Sequence, residues 1–247
     1  MYERNVKLTI AYDGSNYHGW QKQTDGIVTV QEVLENACAQ VVNHPVALRG
    51  SGRTDTGVHA AGQVANFRTC TPIPSQRLHH AINSRLPRNI RIKKAQDVGD
   101  DFDAITSARS KLYRYTVYNH SDIPPQADKY CYHFYRDCDL VAVQGAAARL
   151  MGEHDFASFA STGHPRQSAV RTLRRCEVFR KFHWVYFDME ADGFLYHMVR
   201  NIVGTLLEMG RGHWPVEKID EILTARDRAA AGPMVPAEGL CLMWVRY

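Results

Sequence analysis

The sequence has no CxxC pair, no HExxH motif, and no apolar run near the roughly 18 residues that cross a bilayer. The first absence argues against a zinc ribbon or thioredoxin-type site, the second against a zinc protease, and the third against a membrane span. Six cysteines, at positions 38, 70, 131, 138, 176 and 241, are scattered without disulfide-framework spacing. They read as reduced thiols, so a cytoplasmic protein is expected. The opening stretch, MYERNVKLTI, lacks the apolar core of a signal peptide. No segment is low-complexity, and none reads as a long linker. Acidic residues are missing from one stretch: between Gln76 and Gln96 stand Arg77, Arg85, Arg88, Arg91, Lys93 and Lys94 with no carboxylate. A second basic run carries Arg166, Arg171, Arg174, Arg175, Arg180 and Lys181 against Glu177 alone. Such runs suit either phosphate contact or a solvated face.

What is present fits an ordinary globular protein. The chain has 247 residues, enough for one large domain or two small ones. Alternation predicts strands in VKLTIAYDG, QVANFRT, NIRIKKAQDV, KLYRYTVYN and LCLMWVRY. The stretch TLRRCEVFRKFHWVYFDMEAD reads as a hairpin turning near Lys181. TVQEVLENACAQVV reads as a helix opened by a Thr29/Glu32 capping box, with Val30, Val33, Leu34, Ala37 and Val41 on its apolar face. SQRLHHAINSRL is a helix capped by Ser75. DLVAVQGAAARLMG is one capped near Asp139, with Gly152 past its end. FLYHMVRNIVGTLLEM and VEKIDEILTAR are two more, and HSDIPPQADKY is a surface loop. The order of strands and helices in the first half is echoed in the second, which suggests a structural duplication without a sequence repeat. The expected class is α+β with a largely antiparallel sheet. We divide it into an N-terminal half, 1–105, and a C-terminal half, 106–247.

The most unusual segment is RGSGRTDTGVHAAGQVANF, residues 49–67, whose glycine-rich part reads as a loop. Asp55 invites several readings. The triplet DTG is that of aspartic proteases, but Gly52, Arg53 and Thr54 precede it where such enzymes carry apolar residues, and a neighbouring arginine opposes the shared proton such an enzyme needs. Asp55 and His59 have a helical ligand spacing, yet Gly57 between them argues against a helix, so a metal is not expected and His59 reads as a structural hydrogen bonder. A tight turn at Asp55 and Thr56 remains open on these residues alone. Against it stand Arg49 and Arg53, which can hold phosphate or keep Asp55 ionised, and glycines that let a ligand approach the backbone. An ionised aspartate is a usable nucleophile.

The motif GSGRTDTGVHAAGQVANF resembles the signature loop of the tRNA pseudouridine synthase A family. So do LTIAYDGSNYHGWQKQ, TVQEVLENA, KLYRYTVYN, FLYHMVRNIVGTLLEMGRG and PAEGLCLMWVRY, in the family's order along nearly the whole chain. The resemblance implies an isomerase that converts uridine to pseudouridine at positions 38, 39 and 40 of the tRNA anticodon arm. It implies no cofactor, no catalytic metal, and a homodimer in which RNA touches both subunits. The implied fold is a mixed, largely antiparallel sheet made of two similar halves, with helices packed on it and a cleft between. By the same resemblance Asp55 is the catalytic nucleophile, Tyr113 packs on the target base, and Arg200 pairs with the aspartate. Arg53 helps extrude the nucleotide. Arg49, Arg109, Lys111 and Arg166 are candidate RNA contacts. A charge such as Arg200 on an apolar helix independently calls for a buried partner. One departure stands out. In FDAITSARSKLYRY, Ile105 and Thr106 replace the arginine and aromatic residue usual there, which leaves Arg109 or Lys111 to compensate. The competing reading is a non-catalytic RNA-binding protein on the same scaffold.

Overall fold

A computed structural model describes residues 3–23, 26–161 and 168–247. They form two compact units, Met1–Arg109 with Cys241–Tyr247, and Ser110–Leu240.

The first unit opens with β1 (Arg4–Tyr12), whose alternation sends Val6, Leu8, Ile10 and Tyr12 into the core. Helix α1 (Val30–Val42) follows, then β2 (Arg49–Gly50), β3 (His59–Thr69), α2 (Ser75–Asn83) and β4 (Ile90–Val98). β1 lies antiparallel between β3 and β4. β2 is antiparallel to β3, and the closing strand, β10 (Leu240–Arg246), runs parallel to it. The glycine-rich stretch is therefore only partly loop. Arg49 and Gly50 pair with β3, and β3 starts at His59, so the irregular segment is confined to residues 51–58.

Two helix details differ from expectation. Thr29 does cap α1, its hydroxyl accepting the Glu32 N–H. The buried face, however, is turned toward Gln31, Glu35, Cys38 and Val42, and leaves Val33 and Val41 half-buried. The reason is polar. Gln31 Nε2 donates to Glu35 and to the Leu48 carbonyl, and Glu35 accepts the Leu48 N–H, so α1 hydrogen-bonds the chain just before β2. Ser75 does not cap α2. It is the first helical residue, and its hydroxyl donates to Asp97 and accepts from Arg4.

The second unit is built on β5 (Ser110–Tyr118). Then come β6 (Tyr132–His133), α3 (Leu140–Arg149), β7 (Gly152–Asp155), β8 (Val170–Lys181), β9 (Trp184–Ala191), α4 (Met198–Gly210) and α5 (Lys218–Ala225). The order β5–β9–β8–β7 is antiparallel throughout, with short β6 parallel to β5. Asp139 caps α3 by accepting the Val141 and Ala142 N–H groups, as its position before the helix predicts. Gly152 does not close that helix in the left-handed form; Leu150 ends it in the ordinary helical region and Gly152 begins β7. The β8–β9 hairpin turns at Phe182, just past Lys181. α4 starts four residues later than its apolar stretch, after His197 at φ +63°, and every residue in it is buried. The class is thus α+β with mixed, mostly antiparallel strands and helices packed on them. No helix among the described residues is long and apolar enough to cross a membrane.

Candidate active site

Residues 51–58 are held on nearly every side by the first unit. The Ser51 N–H donates to the Val64 carbonyl, and Gln63 Nε2 donates to the Gly52 carbonyl. The Thr54 carbonyl accepts the Trp20 N–H at 3.0 Å. The Gly57 N–H reaches the Tyr17 carbonyl, and the Val58 N–H closes a turn on the Asp55 carbonyl at 3.1 Å. The turn reading of Asp55 is thus correct for its backbone and says nothing against a chemical role for its side chain.

The segment DGSNYHGW, residues 13–20, packs directly on this loop. A Cβ on Gly14 would fall 2.0 Å from the Val58 carbonyl oxygen. One on Gly19, at φ +84°, would fall 2.6 Å from that of Thr54. Only glycine lets two backbones approach so closely, and at Gly19 only glycine adopts the angle without strain. His59 completes the junction. Its Nδ1 lies 3.0 Å from the Gly14 N–H and accepts it. A nitrogen accepting that bond has no proton for Asp13, so the 3.3 Å approach of Asp13 to the same atom is proximity rather than a donated bond. His59 is the structural hydrogen bonder expected from its setting. Among the described residues no group of three histidine, cysteine or acidic side chains is arranged to hold a metal.

Within this frame Arg53 points to solvent, while Asp55 is half-buried two residues on. Beneath them is a polar network that the sequence did not announce. The Tyr12 hydroxyl lies 2.8 Å from Thr54 Oγ1. Gln63 Oε1 accepts the Ser51 hydroxyl at 2.6 Å. Burial pushes the Tyr12 phenol well above the usual tyrosine range, despite the opposing influence of Thr54 and Gln63, so it stays protonated.

The other expected residues divide between the units. Arg49 is half spoken for, its Nε 2.5 Å from Asp103 Oδ2. Asp103 also accepts the Ile105 and Thr106 N–H groups and the Thr106 hydroxyl. Burial alone would raise the Asp103 carboxyl. The Thr106 and Ile105 N–H groups, the Arg49 guanidinium and the Thr106 hydroxyl outweigh it and hold the group below the usual carboxylate range. The unusual Ile105–Thr106 pair therefore sits on a turn that Asp103 organises. Arg109 is exposed, and its N–H donates to the Arg246 carbonyl.

Lys111, Tyr113 and Arg200 belong to the second unit. Burial lowers the Lys111 amine. Tyr113 is 8% exposed and meets the edge of Phe194 in a T-shaped contact with ring centroids 5.0 Å apart. Phe194 was not singled out in the sequence, and its place three residues before the conspicuous HMVRN was the available signal. Arg200 is 9% exposed on α4, and its Nε donates to the Val235 carbonyl at 2.8 Å. Arg166 lies outside the described residues.

Comparison with known proteins places these motifs. Residues 8–106 and 146–247 match the model of the tRNA pseudouridine synthase family. The tRNA pseudouridine synthase A of Acetivibrio thermocellus is 46% identical over 245 residues, covering 99% of this chain and all of the relative. The enzyme of the same name from Thermoanaerobacter sp. is 43% identical, and that from Caldicellulosiruptor saccharolyticus 44%, each over 99% of this chain and the whole of the relative. With the family model spanning both units and the relatives aligned end to end, this chain belongs to the tRNA pseudouridine synthase family, which are isomerases.

Proposed function

We propose that this enzyme isomerises uridine to pseudouridine at positions 38, 39 and 40 of the tRNA anticodon arm, with Asp55 as its nucleophile. In that reaction the N1–C1′ bond breaks, the uracil turns, and C5 joins C1′. C5 loses a proton and N1 gains one, so no atom is added or removed. Because the bond re-forms to the same base, no activated water is needed and a second catalytic carboxylate is not required. Attack of Asp55 on C1′, attack on C6, and base-assisted elimination to a glycal all start from an ionised carboxylate.

The observation that carries this reading is the setting of Asp55. It is half-buried on a loop whose backbone is fixed from both sides, and it stands two residues from an exposed arginine. A rigid backbone is what a nucleophile needs, since misplacement by about 1 Å can cost on the order of a hundredfold in rate. Arg53 takes the space of the extruded nucleotide and meets its phosphate, because a base in a folded arm must leave its stack before the glycosidic bond is accessible. Tyr113 packs on the uracil and takes the C5 proton. Arg200 pairs with the Asp55 carboxylate; its own burial makes a partner carboxylate favourable. Arg49, Arg109, Lys111 and Arg166 contact the RNA backbone, together with the exposed cations of residues 77–94. The working form is a homodimer, each RNA touching both subunits.

The test is to incubate unmodified tRNA transcripts with the enzyme and map pseudouridine by nuclease digestion and chromatography. Product at 38, 39 and 40, lost position by position when each uridine is replaced by cytidine, is the expected result. Product only outside the anticodon arm would refute the site assignment. Sedimentation at assay concentration should give a dimer mass, and a fully active monomer would refute that part.

A further inference from the structure

Four groups flank Arg53 and Asp55 from the inner side of the loop: Ser51, Thr54, Gln63 and Tyr12. All four are buried, and hydrogen bonds join Tyr12 to Thr54 and Gln63 to both Ser51 and the Gly52 carbonyl. These bonds grip the loop at two points. Through Gln63 they hold the Gly52 carbonyl, at 2.9 Å, and through Thr54 Oγ1 they hold the residue next to Asp55. Arg53 lies between these points and faces outward. Tyr12 ends β1 where the register with β3 slips. Ile10 pairs with Gln63, but Tyr12 pairs with Ala60, a one-residue irregularity. Bulges of this kind are common beside functional sites. The extra residue lies in β3, between Ala60 and Gln63, so β1 keeps its alternation and Tyr12 stays on the buried face, where its hydroxyl meets Thr54.

We propose that Tyr12 is a positioning residue for the isomerisation. Its hydroxyl, bonded to Thr54 Oγ1, fixes the backbone on which the Asp55 carboxylate is presented to the nucleotide. The inference rests on Asp55 being the nucleophile. Tyr12 itself transfers no proton. Its role is geometric: with the hydroxyl removed, the Thr54 hydroxyl loses its buried partner, while the Trp20 N–H still holds the Thr54 carbonyl. Networks of this type behave as units, so removing either end of the Tyr12–Thr54 bond should have the same effect as removing both.

The experiment measures the single-turnover rate of pseudouridine formation, tRNA affinity by filter binding, and melting temperature, in Tyr12→Phe, Thr54→Val, Thr54→Ser and the Tyr12→Phe/Thr54→Val double variant. Tyr12→Phe and Thr54→Val should each slow the chemical step by roughly ten- to a hundredfold with unchanged tRNA affinity. The double variant should be no slower than the slower single, and Thr54→Ser, which keeps the hydroxyl, should retain the wild-type rate. A purely structural role would lower the melting temperature and leave the rate per folded molecule unchanged. Full rates in folded Tyr12→Phe and Thr54→Val, or losses that multiply in the double variant, would overturn the proposal. Should Tyr12→Phe fail to fold, the Thr54 pair decides alone: a slow valine variant beside a normal serine variant supports the positioning role, and equal rates overturn it. Asp55→Asn run in parallel separates the two readings. An active Asp55→Asn removes the nucleophile and with it the positioning role. An inactive Asp55→Asn beside a full-rate Tyr12→Phe removes the positioning role only.

Discussion

Replacing Gly204 with alanine should destabilise the protein strongly, although alanine is the better helix former. Gly204 lies in α4, one turn beyond Arg200, where every residue is buried. An added Cβ would fall 1.7 Å from the Pro233 carbonyl oxygen and 2.9 Å from its carbon. Carbon and oxygen atoms in contact rest no closer than about 3.3 Å, so the 233–235 backbone must retreat by about 1.6 Å. The Val235 carbonyl on that segment accepts the Arg200 Nε at 2.8 Å, and the Val235 N–H reaches the Arg200 carbonyl. Overpacking costs about 1–3 kcal/mol. Losing a buried hydrogen bond to a charged group adds roughly 1.5–3 kcal/mol. Helix propensity returns about 1 kcal/mol. The balance is a loss of roughly 1.5–5 kcal/mol, which lowers Tm by on the order of 10 °C in a chain of this size. Gly145→Ala is the internal comparison. Gly145 is exposed in α3, its Cβ would meet Val216 Cγ1 at an ordinary 3.5 Å, and the same exchange should raise stability by about 0.5–1 kcal/mol. Calorimetric melts of the two variants should move in opposite directions. A Gly204→Ala melt at the wild-type temperature, or shifts of the same sign, would refute the packing argument.

Other outcomes follow from the same structure. Asp103, held below its usual range, contributes stability that is present above the unfolded-state value of about 3.9 and lost as pH falls through the folded value. Asp103→Asn should therefore be less stable than wild type at neutral pH, with the gap narrowing below about pH 4; a gap constant down to acid would contradict the ion pair with Arg49. The cations of residues 77–94 are all exposed, so alanine at Arg77 or Arg85 should weaken tRNA binding and reduce the slope of log affinity against log salt by about 1 each. An unchanged slope removes that residue from the RNA contacts. Burial raises the Cys38 and Cys176 thiols to about 12 and Cys131 to about 11, whereas Cys70 is exposed. A thiol reagent at pH 8 should label Cys70 in the folded protein and leave those three until denaturant is added; early labelling of Cys38 would contradict its burial.

Much of this was legible in the sequence, because local patterns decide local structure. Alternation located β1, β4 and β5, and Asp139 before an apolar run marked α3. The glycine and arginine pattern around Asp55 marks the loop in the sequence itself. What escaped depends on contacts distant in the chain. The periodicity of α1 places Val30, Leu34 and Ala37 on its buried face correctly, but not Gln31 and Glu35, polar residues that are buried by bonding Leu48. Ser75 looked like a cap and is drawn instead to Asp97 and Arg4, which are brought beside it by β4 and β1. Two-residue β2 carries no periodicity at all and exists only through its pairing with β3. The Tyr12–Thr54 bond spans 42 positions, so Tyr12 reads in sequence as one more core aromatic on a strand.

The central claim is that the Asp55 carboxylate performs the chemistry. It is tested most directly by giving wild-type and Asp55→Asn enzyme the same unmodified tRNA in large enzyme excess and quantifying pseudouridine after digestion. The account predicts complete conversion by wild type and none by Asp55→Asn, with the variant folded and binding tRNA as tightly. Pseudouridine formed by the folded Asp55→Asn variant at the wild-type rate would contradict it.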